Sequence, residues 1–99
     1  LTSLTIGNSV TTIGDEAFME CTSLKSITLP NNLTTIKMRT FFCCTALESI
    51  EIPDKVITIE RYAFHSCTSL ESIMMPKSVK TIGEAVFGSC NLLKDVYYF

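Results

Sequence analysis

Five cysteines and a single histidine are the residues of this chain with the most reactive side chains. Cys21, Cys43, Cys44, Cys67 and Cys90 could in principle bind metal, attack an electrophile or pair as disulfides. A zinc site would have to draw on Cys43, Cys44, His65 and Cys67. The spacing argues against it: there is no Cys-x-x-Cys, and His65 has no second His at ligand distance along the chain. Acyl transfer fares no better, since Gly-x-Ser-x-Gly is absent. The carboxylates are spread along the chain beside basic residues instead of converging as an acid and a base. Four isolated glycines make no phosphate cradle. The reading is of a non-enzyme with no catalytic residues, no metal and no cofactor.

Bulk composition narrows the class. Eight Lys+Arg stand against ten Asp+Glu in 99 residues, so this is neither a basic nucleic-acid sleeve nor an acidic tail. Hydrophobic residues make up 46%, enough for a packed core. Apolar runs such as Ile73-Met74-Met75 are too short to cross a membrane. No signal peptide is visible, and Leu1 in place of Met points to a piece of something longer.

The elements that position these residues come from a repeat. Leu1, Leu24, Leu47, Leu70 and Leu93 recur every 23 residues. Ile13, Ile36, Ile59 and Ile82 keep the same period, as do Phe18, Phe41, Phe64 and Phe87. Cys21, Cys44, Cys67 and Cys90 follow it too, with Thr12, Thr35, Thr58 and Thr81. The chain is one domain, 1–99, with units 1–23, 24–46, 47–69 and 70–92 and a partial unit 93–99.

Each unit has two phases. Leu47-Glu48-Ser49-Ile50-Glu51-Ile52-Pro53 alternates as a short strand, which Pro ends because it cannot donate to a ladder. A turn follows at Asn31-Asn32 or Asp54-Lys55, then a second extended segment such as Val10-Thr11-Thr12-Ile13. In Gly-x-x-Ala-Phe-x-x-Cys, Ala17 and Cys21 are four apart and Phe18 and Cys21 three apart, which predicts a short helix of one to two turns.

One unit cannot bury its apolar face alone, so the units should stack with residues 23 apart as neighbours. Charge agrees. Six such pairs are opposite in sign: Glu16/Arg39, Lys25/Glu48, Lys37/Glu60, Asp54/Lys77, Arg61/Glu84 and Glu71/Lys94. Glu48/Glu71 is like-charged.

The unit Leu-x-x-Ile-x-Ile-Pro-x-x-Val-x-x-Ile-Gly-x-x-Ala-Phe-x-x-Cys-x-x resembles the BspA-like class of leucine-rich repeats along the whole chain. The resemblance implies a leucine-rich-repeat solenoid: a right-handed, curved, β-rich stack of about four coils with a parallel concave sheet and short convex helices. It also implies a protein-binding module on a cell surface or in a secreted, adhesin-like protein. It names no catalytic residues. The alternative reading is a structural spacer that stacks end to end with other chains.

Departures from the unit carry expectations of their own. Lys37 and Glu60 stand where units 1 and 4 have Gly14 and Gly83, so no positive φ is required there. Thr40 replaces Ala17 and needs a local backbone partner for its hydroxyl. The four aligned cysteines read as a ladder of buried thiols whose parallel Cβ vectors disfavour disulfides. Cys43 takes the place of Glu20, Ser66 and Ser89 and reads as solvent-facing. Asn32-Leu33-Thr34 fits a glycosylation sequon. Val96-Tyr97-Tyr98-Phe99 replaces the Ile-x-Ile-Pro ending and reads as the lip of a truncated repeat or a capping strand.

The outward strand positions form two rows. One is Ser3, Ser26, Ser49, Ser72 and Asp95; the other is Thr5, Thr28, Glu51, Met74 and Tyr97. Small polar residues give way to apolar and aromatic ones, which reads either as repeat drift with a truncated end whose aromatics a further unit would cover, or as a protein-binding patch on Glu51, Met74, Asp95 and Tyr97. The rows hold no Lys or Arg, so the partner should be a protein and not a nucleic acid. Unpaired end strands also suggest end-to-end self-association.

Phe41, Phe64, Ile36 and Ile59, in the central units, should be almost fully buried. Chemical denaturation of Phe64→Ala should show a loss of about 3–5 kcal/mol, the range for deleting a core Phe. An unchanged midpoint would contradict a stacked core.

Overall fold

Hydrogen bonds between residues one unit apart organise the chain. The structure, a computed structural model, describes residues 2–98, without the side chains of residues 95, 97 and 98. Its strands are β1 (Ser3–Thr5), β2 (Ser26–Thr28), β3 (Thr35–Ile36), β4 (Ser49–Glu51), β5 (Thr58–Ile59), β6 (Ser72–Met75), β7 (Thr81–Ile82) and β8 (Asp95–Tyr98). Every ladder is parallel and pairs residues 23 apart, as Ser3 with Ser26, Ile36 with Ile59 and Ile50 with Ile73. The first segment of each unit builds the pair β1-β2 and the sheet β4-β6-β8, while the second builds β3-β5-β7. Val10–Ile13, expected as an extended segment of unit 1, forms no strand.

The core lies between the two sets of strands. Leu24, Leu47 and Leu70 are buried, with Ile27, Ile50 and Ile73 from the strands and Ile13, Ile36 and Ile59 from the opposite side. Phe41 and Phe64 are wholly buried, at 0% exposure. The phenyl rings of Phe18, Phe41, Phe64 and Phe87 form a column with centroids 5.6, 5.2 and 5.8 Å apart and planes within 12°. Fully burying an apolar side chain of this size contributes roughly 1.5–3 kcal/mol. Thr40 is buried among these residues, and its hydroxyl donates to the Lys37 carbonyl at 2.8 Å, which supplies the local partner it needs.

The turns after the prolines form where Asn31-Asn32 and Asp54-Lys55 place them. Leu33 donates to the Pro30 carbonyl at 3.3 Å and Val56 to that of Pro53 at 3.2 Å.

The expected short helices are a misreading. Among the described residues there is no helix. Residues 15–20, 38–43, 61–66 and 84–89 run as successive tight turns. Each run carries two left-handed residues: Glu16 and Glu20, Arg39 and Cys43, Tyr62 and Ser66, Ala85 and Ser89, with φ between 53 and 65°. Half of the amides close turns within the unit, as Ala17 to Gly14 at 3.3 Å and Cys21 to Phe18 at 3.2 Å. The alternate amides cross to the next unit: Glu16 to Met38 at 3.0 Å, Phe18 to Thr40 at 2.9 Å and Glu20 to Phe42 at 2.7 Å.

Spacing explains the difference. Parallel strands stand about 4.8 Å apart, whereas a helix with its side chains is about 10 Å across. The phenyl column shows that the turn side keeps nearly the strand spacing, which leaves no room for stacked helices. The three- and four-residue spacings that suggest a helical face also bring Ala63, Phe64 and Cys67 inward in a run of turns.

The left-handed residues are not the glycines, none of which has positive φ. The tolerance of Lys37 and Glu60 at the Gly14 position follows. Gly83 is needed for a different reason, because a Cβ there would sit 2.6 Å from the Arg61 backbone nitrogen. Of the six opposite-charge pairs, Glu16 and Arg39 meet at 3.4 Å, and the other five do not close into ion pairs among the described residues. The Arg39 and Glu16 side chains are 38% and 42% exposed, so the pair contributes no more than about 0.2–1 kcal/mol.

Ala85 offers a test of the turns because it is exposed and has φ 53°. Ala85→Gly should leave stability unchanged or raise it by up to about 1 kcal/mol, since glycine tolerates this region. In a helix the same change would cost about 1 kcal/mol. Denaturant melts of the two proteins distinguish the signs.

Candidate interaction surface

Alternation along the strands decides which side chains reach solvent. In β4, Ile50 points into the core, and Ser49 and Glu51 point out. In β6, Ile73 and Met75 point in, and Met74 is 40% exposed. Glu51 pairs with Met74 and Met74 with Tyr97, while Ser72 pairs with Asp95. Glu51 and Met74 thus stand side by side on one face. The backbone of β8 carries Asp95 and Tyr97 to the adjoining positions, and their side chains lie outside the described residues. Upstream the same face shows Ser3, Thr5, Ser26 and Thr28, all exposed.

A break in this face was not foreseen. β2 lies beside β4, and Glu48 donates to the Lys25 carbonyl at 3.1 Å, but no ladder joins the two strands. A cleft of about 180 Å³ opens there between Ile27, Thr28, Leu29 and Asn31 of one unit and Glu51 and Pro53 of the next. A second depression, of about 280 Å³, continues it over Asn31, Glu51, Ile52, Pro53, Asp54 and Lys55. Side-chain bridges change at the same place. The Asn31 N–H donates to Asn8 Oδ1 at 3.0 Å, joining units 1 and 2. No equivalent bond runs from Asp54 to Asn31 among the described residues; Lys55 Nζ instead donates to Asn32 Oδ1 at 2.9 Å.

The turn side carries an aromatic cluster. Phe42 stacks on His65 at 5.4 Å, Tyr62 meets His65 edge-on at 5.5 Å, and the Arg39 guanidinium sits 5.4 Å from the Tyr62 ring centre. Ser66 Oγ lies 2.9 Å from His65 Nδ1, and the absence of a side chain at Gly88 makes room for the imidazole. These groups are half-buried and already partnered by one another.

All five thiols are free. Cys44 and Cys67 are buried, Cys21 and Cys90 half-buried. Cys43, expected to face solvent, is half-buried as well, like Ser66 in the other central unit with neighbours on both sides, whereas Glu20 and Ser89 in the end units are exposed. The ladder has a polar use. Cys44 Sγ donates to the Phe18 carbonyl at 3.1 Å, Cys67 to Phe41 at 3.2 Å and Cys90 to Phe64 at 3.1 Å. Burial, foremost, pushes the Cys44 thiol up to about 11; it raises Cys67 further and Cys90 as well. No group of three or more His, Cys, Asp or Glu gathers into a metal set among the described residues. No helix of the described residues is long and apolar enough to cross a membrane.

The comparisons with known proteins agree with this geometry. A family model described as the BspA type leucine rich repeat region (6 copies) matches residues 1–98. A leucine rich cell surface protein of Faecalibacterium prausnitzii A2-165 is similar in structure, with a TM-score of 0.97 and 37% identity over 99% of this chain. The leucine rich repeat protein of T. pallidum gives a TM-score of 0.92 and 37% identity over 96% of this chain. A leucine-rich repeat protein of Bacteroides ovatus ATCC 8483 gives 0.63 and 27% over 98%. This chain spans 26%, 44% and 37% of those three chains. No curated protein matches it. The chain belongs to the BspA-type leucine-rich repeat family.

The thiols give a pH dependence. A thiol whose folded value is raised stabilises the fold fully below its ordinary value of 9.0, and that contribution is lost as pH rises to about 11. The melting temperature should fall between pH 9 and 11, less steeply in Cys44→Ala than in the parent. At pH 8, native Cys44 should react with a thiol reagent at least about 100-fold more slowly than in denaturant. Equal rates would show that the ladder is not closed to solvent.

Proposed function

We propose that this member of the BspA-type family is a non-catalytic protein-binding module of a cell-surface or secreted, adhesin-like protein. The F. prausnitzii relative is described as a cell surface protein, which supports that location. The observation that carries the reading is the Glu51–Met74 pair, an exposed thioether beside a carboxylate on a rigid parallel sheet. Met is favoured at the cores of protein interfaces, and Tyr97, next in the row, brings large area at low entropy cost. We read this sheet as the concave face of a right-handed solenoid, with Asp95 completing the patch. The polar Ser and Thr rows of units 1 and 2 form its rim or contribute nothing to binding. No Lys or Arg in the rows can neutralise a phosphate backbone, which favours a protein ligand.

A second reading, end-to-end stacking, is favoured by Ile82. It is 48% exposed, while its equivalents Ile36 and Ile59 are buried. Leu92 and Val96 are exposed in the same part of the chain. Another unit laid on this end, whether a further repeat or a unit of another chain, would cover all three.

The immobilised chain, presented with candidate surface and matrix proteins, should retain a protein other than itself. Met74→Ala and Tyr97→Ala should each weaken that complex by more than about 1 kcal/mol, roughly fivefold in Kd, and Ser3→Ala should leave it unchanged. Retention of only its own copies, abolished by Ile82→Lys, would favour the stacking reading.

A further inference from the structure

The break between β2 and β4 gives the interaction face a feature that its outward rows do not supply. Elsewhere on this face adjoining strands close into ladders, as β1 with β2, β4 with β6 and β6 with β8. At the break the strands part and leave a cleft of about 180 Å³, room for much more than one water. Its walls include Ile27, Leu29 and Pro53, and polar groups of Thr28, Asn31 and Glu51 stand around it.

The charge in this cleft is uncompensated. Glu51 is exposed, and its ladder neighbour Met74 carries no charge. Thr28, one unit before it, is equally uncharged. No ion pair reaches Glu51 among the described residues. Lys55, the cation lining the adjoining depression, has its ammonium on Asn32 Oδ1 at 2.9 Å. Asp54 lines that same depression and adds a second carboxylate. The cleft therefore joins an apolar wall to a carboxylate, a hydroxyl and an amide carbonyl, all of which can accept hydrogen bonds.

We propose that the cleft between β2 and β4 receives a lysine or arginine side chain of the protein partner. This deepens the protein-binding reading and rests on it. Such a side chain lays its aliphatic stem along apolar surface and keeps its cationic head at the polar rim. The head donates to Glu51 in a charge-assisted hydrogen bond, stronger than a neutral one, and Thr28 and Asn31 take its remaining donors. A neutral aliphatic side chain would leave the carboxylate unmatched, and an acidic one would be repelled by it. The partner is thus a protein that presents a basic residue next to an apolar contact for Met74.

Short peptides test this without a protein partner. Acetyl-Gly-Lys-Gly-amide, its arginine counterpart and its norleucine counterpart are titrated separately into the 15N-labelled 99-residue chain. The lysine or the arginine peptide, or both, should shift the amides of Thr28, Leu29, Asn31, Glu51 and Ile52 saturably, and added salt should weaken the effect. Norleucine, which keeps the stem and lacks the charge, should not shift them. Glu51→Gln should weaken binding at least about fivefold, while Glu48→Gln, another exposed carboxylate, should leave it unchanged. Absence of cleft shifts with both cationic peptides, equal shifts with norleucine, or full binding by Glu51→Gln would overturn the proposal. Because the peptides report on the cleft alone, that outcome leaves the Met74 and Tyr97 test of the wider reading standing.

Discussion

One spacing governs this protein: that of the hydrogen bonds joining each unit to the next, in a register of 23 residues. Parallel ladders impose about 4.8 Å on both sets of strands. The crossing bonds from Phe18 to Thr40, Phe41 to Ala63 and Phe64 to Val86 carry nearly the same spacing to the turn side. Once the units are held that closely all round, each position becomes a column. Phenyl rings stack on phenyl rings, thiols lie above thiols, and outward residues form rows. The candidate interaction surface is one of these rows, so the spacing that makes the core also fixes the distance between Glu51 and Met74.

The same spacing has a conformational cost. Crossing bonds need every second amide of the turn run to point at the next unit, and the left-handed residues turn them there. Among the described residues, eight other than glycine accept that conformation, at about 1–2 kcal/mol each by the usual steric penalty. The amides they redirect are satisfied by the adjoining unit, and the run encloses Phe41 and Phe64 completely. Cysteine suits the end of this run: it is small enough for the column and its weak S–H donor reaches the Phe carbonyl of the unit before.

Much of this could be read from the residues. The period alone fixes the register of every ladder that forms, because a 23-residue repeat leaves one alignment of Leu, Ile, Phe and Cys; that β2 and β4 form none it does not show. The hydroxyl of Thr40 demanded a partner by its position, and Lys37 supplies it. The helices were misread because inward spacings of three and four residues are common to a helix and to consecutive turns; only the inter-unit distance separates the two. Five of the six charge pairs stay open because the register places backbones side by side, while long exposed side chains gain little by closing. The cleft beside Glu51 could not be foreseen, since nothing in the residue types at Asn31 and Asp54 marks the loss of the bridge that Asn8 makes to Asn31. The cluster of Arg39, Tyr62, Phe42 and His65 joins residues of different columns, which a reading column by column keeps apart.

The central claim is that the turn side is held by bonds between units. Nuclear magnetic resonance coupling through hydrogen bonds measures this directly, because it correlates a donor nitrogen with the carbonyl carbon that accepts its proton. The nitrogens of Phe18, Phe41 and Phe64 should couple to the carbonyls of Thr40, Ala63 and Val86, 22 residues further along the chain. Coupling of these nitrogens to carbonyls four residues earlier would mean helices, and would contradict the account.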